Sequence, residues 1–171
     1  MLIFLIGMPG SGKSSVGKEL ATLMESKLLD LDAYIIEREK LSIPEIFKTK
    51  GEDYFRKAET NSLAEICEKM KSGVIAVGGG TPCFNNNMEV MQKGGCTVYL
   101  KTTPDVLANR IENDTNERPL FRKLNGRKLK EKVTSMLEHR EKFYKKATVV
   151  FDLRDKTPAV IAAEIKKLLI T

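Results

Sequence analysis

The sequence predicts an α/β chain, a three-layer sandwich in which a five-stranded parallel sheet carries helices on both faces. Two observations carry that expectation. Short apolar runs at Leu2–Ile6, Leu28–Leu29, Val74–Val77, Thr97–Leu100 and Val149–Phe151 recur along the 171 residues, with helix-period stretches between them. The first run leads directly into Gly7-Met8-Pro9-Gly10-Ser11-Gly12-Lys13-Ser14, which fits G-x-x-x-x-G-K-[ST] at every fixed position. Strands that alternate with helices run parallel, and such a sheet is buried on both faces.

The glycine-rich loop has a physical reading. Glycines permit the unusual φ angles of a tight turn. Backbone N–H groups in such a turn make an anion-binding concavity, and the next helix aims its positive end at the same point. Gly10, Ser11, Gly12, Lys13, Ser14 and Ser15 are therefore expected to bind the phosphates of ATP. Lys13 supplies a mobile cation, and the Ser14 hydroxyl can reach Mg²⁺. A chance turn is one alternative. A dinucleotide fingerprint is another, but it needs glycine where Ser15 stands and gives Lys13 no role.

The rest follows in chain order. Val16, Leu20, Leu23 and Met24 form one stripe, so a helix spans about 13–25. The second strand ends at Asp30-Leu31-Asp32. In extended chain, alternate residues point the same way, which sends both carboxylates to the site; alternatively, one caps the helix over 33–40. Ser42-Ile43-Pro44-Glu45 starts a helix that Gly51 ends. The helix over about 52–71 buries Phe55, Leu63, Ile66 and Met70, and Glu59 falls on that stripe. Arg56 can pair with Glu59, either as a surface ion pair or as an arginine held at a pocket edge. Gly78-Gly79-Gly80 closes the third strand and allows close approach by a ligand. Helices are expected over 86–93, Pro104–Ile111 and 127–146, the last with Arg140 on its apolar stripe. Between them, 113–123 is a mostly polar segment long enough to be a lid, with no apolar period to hold it to the core. Lys156-Thr157-Pro158 opens the final helix.

Composition narrows the function. With 42% hydrophobic and 30% charged residues, the chain reads as one soluble domain. No apolar run nears the ~20 residues of a membrane helix. The first run, short and without a basic lead, is a strand and not a signal peptide. Cys67, Cys83 and Cys96 are widely spaced and odd in number, which suits a reducing cytoplasm and no metal cluster. The net charge of +6 is spread among acids, as in Glu37-Arg38-Glu39-Lys40, and aromatics are 6% with no tryptophan. That pattern argues against nucleic acid and for a small anionic substrate.

Taken together, these motifs resemble the shikimate kinases, within the P-loop kinase fold. The resemblance spans nearly the whole chain. It rests on Gly7–Ser14, Asp30-Leu31-Asp32, Gly51-Glu52 with Phe55-Arg56-x-x-Glu59, Gly78-Gly79-Gly80, Arg118-Pro119-Leu120, and Arg140 with Tyr144. It implies a monomeric cytoplasmic enzyme that phosphorylates a hydroxyl of shikimate with ATP and Mg²⁺, and that binds neither nucleic acid nor membrane. Asp32, Arg56, Gly78, Gly79, Gly80 and Arg140 would hold shikimate, with both arginines on its carboxylate. Asp30 would join Ser14 at Mg²⁺, and Arg118 would swing in on the lid over about 113–123. Arg110 and Pro158 would flank adenine, and the helical region over about 33–62 would be the substrate-binding part. The resemblance is imperfect at Val77, where a hydroxyl residue is common, and at Phe121, where leucine is. The competing readings are another small-molecule kinase, for gluconate or a nucleoside monophosphate, a regulatory or nucleic-acid module that binds ATP without phosphorylating a metabolite, and a family member without catalysis, against which Lys13, Asp30 and Asp32 argue. Independently of the resemblance, Asp32 can accept a proton from an attacking hydroxyl, and planar arginines suit a carboxylate.

Overall fold

A computed structural model describes residues 1–114, 119–121, 123–154 and 156–170. The strands are β1 (Leu2–Ile6), β2 (Leu28–Asp30), β3 (Gly73–Ala76), β4 (Gly95–Lys101) and β5 (Val149–Asp152). The helices are α1 (Lys13–Leu23), α2 (Leu31–Glu39), α3 (Ile43–Lys50), α4 (Glu52–Lys69), α5 (Asn87–Gly94), α6 (Pro104–Glu112), α7 (Gly126–Tyr144) and α8 (Pro158–Ile170). All strand pairs are parallel, in the order β2-β3-β1-β4-β5. The predicted layers and strand number are those observed.

Alternation along β1 builds the two halves of the core. Leu2, Phe4 and Ile6 join a large cluster with residues from α2 to α7. Ile3 and Leu5 face the other way, with Val16 and Leu20 of α1 and Ile161 and Ile165 of α8. Every residue of β1 is buried, as a central parallel strand must be. This fixed strand delivers the glycine-rich loop to the carboxyl edge of the sheet, where open α/β folds bind ligands.

Two expectations are corrected. The second strand stops at Asp30, and Asp32 lies in the first turn of α2. The reason is local: Asp30 Oδ1 accepts the Ala33 N–H at 3.1 Å, capping the helix and ending the strand. In the segment over 113–123, the described part is also not free of the core. It includes a single 3-10 turn, Pro119–Phe121, and Phe121 is buried in the large cluster. Arg118 lies outside the described residues.

Elsewhere local chemistry agrees with the sequence. Ser42 and Glu45 form a reciprocal capping box at α3, with Pro44 in the first turn, and the chain passes through Gly51 at φ 83° into α4. Among the described residues, no helix is long and apolar enough to cross a membrane.

Candidate active site

The loop after β1 is built to hold an anion. Gly10 and Gly12 adopt φ of 82° and 87°, in the region that favours glycine. The Ser11 N–H donates to the Met8 carbonyl at 3.1 Å, closing the turn, and the buried Met8 side chain anchors it. Helix α1 has no side-chain cap and no acidic residue in its first turn. Its N-terminal amides and partial positive charge are therefore directed at the loop. Lys13 Nζ rests across the loop, donating to the Gly7 and Met8 carbonyls at 2.9 Å each.

A cavity of about 660 Å³ opens over this loop. Gly10, Ser11, Gly12, Lys13, Ser14 and Ser15 all line it, as do Asp30 at the end of β2 and Asp32 in the first turn of α2. Arg110 and Pro158 form another part of the wall. Arg110 Nη1 also lies 3.5 Å from the Gly10 carbonyl. Asp114, Lys156 and Ile161 share the wall and were not anticipated. Lys156 follows a strand and precedes a proline-led helix, which is the only signal that could have marked it.

The opposite wall is the segment Gly78-Gly79-Gly80, and here the reason for glycine differs from the expectation. None of the three has φ in the left-handed region. What they provide is room for the protein's own side chains. A methyl group on Gly78 would stand 3.1 Å from Asp32 Oδ1, one on Gly79 3.2 Å from Arg140 Nη1, and one on Gly80 3.0 Å from Arg56 Nη1. Asp32, Arg140 and Arg56 thus converge on three consecutive glycines. Gly78 and Gly79 line the cavity, whereas Gly80, Arg56 and Arg140 stand beside it.

Each of those side chains has an identifiable support. Arg56 Nη1 donates to Glu59 Oε2 at 2.6 Å, so the two residues pair as the spacing suggested, and the buried glutamate makes this more than a surface ion pair. Glu59 is only 1% exposed. Its other oxygen accepts from Thr81 Oγ1 at 2.5 Å, and the Thr81 carbonyl accepts from Asn87 Nδ2 at 3.0 Å. Neither Thr81 nor Asn87 was marked by the sequence. Tyr144, one turn beyond Arg140, donates its hydroxyl to the Gly79 carbonyl at 2.5 Å and lies 3.7 Å from Met8 Sδ. Burial pushes the Tyr144 hydroxyl pKa well above its ordinary value, so it stays a donor. Arg140 Nη1 is buried and makes no hydrogen bond among the described residues. A buried donor without a partner is poised to receive an anion.

Asp32 is the electrostatically unusual group. Burial raises its pKa from 3.8 to about 6, and the neighbouring Asp30 and Glu59 carboxylates add to the effect, against Lys13 and Arg56. The carboxyl is thus held near neutrality, where it can take or release a proton.

A phosphate loop on a central parallel strand, faced by a carboxyl of raised pKa and by two arginines, is the arrangement of a P-loop kinase. Known proteins share this fold and sequence. The family model described as shikimate kinase matches residues 9–170. The shikimate kinase of Parabacteroides distasonis is 43% identical over 150 residues, covering 88% of this chain and 86% of its own length. The crystal structure of shikimate kinase from Bacteroides thetaiotaomicron superposes with a TM-score of 0.93 at 36% identity, covering 100% of this chain and 99% of that one. The Acinetobacter baumannii shikimate kinase, solved in complex with shikimate, gives 0.88 at 31% identity, covering 99% and 92%. The chain belongs to the shikimate kinase family.

Proposed function

We propose that this protein transfers the γ-phosphoryl group of ATP to a hydroxyl of shikimate, giving shikimate 3-phosphate and ADP for aromatic amino acid biosynthesis. One observation supports the reading best: a single cavity joins the phosphate loop to Asp32 and to the glycine segment on which Arg56 and Arg140 converge. The loop amides and Lys13 take the phosphates. Arg56 and Arg140 hold the acceptor's carboxylate, with Arg140 Nη1 as a ready donor. Asp32 orients the attacking hydroxyl and accepts its proton. Arg110 and Pro158 flank the adenine. Arg118 belongs to the same reading as a cation brought to the phosphates, although it lies outside the described residues.

The donors present fit Mg²⁺. Ser14 and Asp30 offer a hydroxyl and a carboxylate on the cavity wall, and hard oxygen ligands completed by phosphates and water are what this ion prefers. Bound there, it would neutralise charge on the transferred phosphoryl group. The reading places the protein in a reducing cytoplasm, in keeping with three free cysteines, and as a monomer.

ADP release measured with shikimate, quinate, gluconate and nucleoside monophosphates tests the function. The highest kcat/KM is expected with shikimate. A preference for gluconate or a nucleotide would overturn the assignment.

The arginines give a second test. Arg56→Lys and Arg140→Lys should each weaken acceptor binding by about 1–3 kcal/mol, because a point charge cannot reproduce a bidentate contact. ATP binding should change little. Calorimetry that finds ATP binding lost and shikimate binding kept would move both arginines to the nucleotide side.

A further inference from the structure

Arg56 carries a second carboxylate that the mechanism above does not use. Its Nε and Nη2 both donate to Glu52 Oε1, at 3.2 and 3.0 Å. With Nη1 on Glu59, every guanidinium nitrogen is engaged. We infer that Glu52 is a resident counter-ion of Arg56 that the carboxylate of the acceptor displaces. The inference rests on the reading that Arg56 meets that carboxylate.

The two glutamates are not equivalent. Glu59 is 1% exposed and is held at its other oxygen by Thr81. Glu52 is 55% exposed, begins α4, and among the described residues its carboxylate is held by Arg56 alone. Breaking a buried pair strands a charge, whereas an exposed carboxylate returns to water at little cost. Of the two, Glu52 is the one that yields.

Arg56 itself has little freedom to turn away. Its guanidinium carbon lies 4.0 Å from the Phe84 ring centroid, and Gly80 abuts the group at a separation that leaves no space for a methyl. An incoming carboxylate must therefore come to the edge of a fixed plane. The paired Nε and Nη2 donors on that edge are the set that carboxylates prefer, and Glu52 occupies them. Displacing Glu52 exchanges one anion for another and leaves the charge on Arg56 balanced. A neutral acceptor has no means of making that exchange, so Glu52 discriminates against acceptors that lack a carboxylate.

Calorimetric titration of shikimate and of its neutral carboxamide into wild-type protein and Glu52→Gln tests this, with thermal melting to verify that the variant is folded. The variant should bind shikimate about two- to fivefold more tightly, the range of an exposed ion pair. Carboxamide affinity should stay the same, and the gain should shrink as salt is added. Weaker shikimate binding in the variant would mean that Glu52 braces Arg56, and unchanged binding that the pair is never broken; either overturns the inference while leaving the function intact. Wild-type protein that binds no shikimate would overturn the proposed function and this inference with it.

Discussion

Lys13→Ala is expected to lower kcat by about 10³-fold while the protein stays folded, since charge stabilisation by a single aimed donor is worth about that much. Lys13 is the first residue of α1, and its ammonium reaches across the loop to the Gly7 and Met8 carbonyls. Alanine is a strong helix former there, and the loop turn is closed by the Ser11 N–H without help from the lysine. Stability should therefore move by no more than about 1 kcal/mol. The same ammonium must leave those carbonyls to serve the phosphates, so its loss falls on transition-state charge. Coupled ADP release and thermal melting of the variant measure the two effects. Near-normal turnover would show that the loop amides suffice, and an unfolded variant would make Lys13 a structural residue.

Asp32→Asn is expected to lower kcat by about 10²–10⁴-fold, the usual contribution of a positioned base. Its pH behaviour makes the role separable from mere shape. In the free wild-type enzyme kcat/KM should rise with pH through a midpoint near 6, because the ionised carboxylate is the active form. The asparagine variant should lose that limb. Stability should run in the opposite sense. A carboxyl whose pKa is 3.8 unfolded and about 6 folded holds its proton more tightly in the folded protein. Ionising it destabilises the fold, fully so above about pH 6 and not at all below about pH 4. The variant should thus be more stable than wild type at pH 7, by on the order of 2–3 kcal/mol, with the difference gone at pH 4. A pH profile without that limb would remove Asp32 from the chemistry, and equal melting temperatures at pH 7 would mean that the fold does not raise its pKa.

How far the sequence could be read depended on how local each feature is. The phosphate loop was legible because one strand, one turn and one helix start determine it, all within Leu2–Ser14. Glu59 was legible because a charge on an apolar stripe demands a partner, and Arg56 stands one turn away. Asp30 and Asp32 were legible as site residues but not as geometry. Strand and helix both bring them to the cavity, and one hydrogen bond, from the Ala33 amide to Asp30, decides between them. The glycine segment showed its need for space but not the reason, since Asp32, Arg140 and Arg56 arrive from distant parts of the chain. Thr81 and Asn87 gave no signal, because short polar residues after a glycine run look like any turn. Phe121 was hidden for the converse reason: a single apolar residue has no periodicity, yet it inserts into the core.

The order β2-β3-β1-β4-β5 puts the strand that is made before the other four at the centre of the sheet. Both of its edges lack partners until Gly73–Ala76 and Gly95–Lys101 have been synthesised. At about 5–20 residues per second, the pairing of Leu2 with Gly95 comes roughly 5–20 seconds after Leu2 itself is made. For that interval the nascent chain carries an exposed, wholly apolar segment, Leu2–Ile6, with unsatisfied edges and the makings of a β-aggregate. Vectorial synthesis therefore leaves the phosphate loop without its central support until late. Fragments that stop short of β4 are expected to leave an edge of β1 open and to aggregate, which light scattering of such fragments would measure.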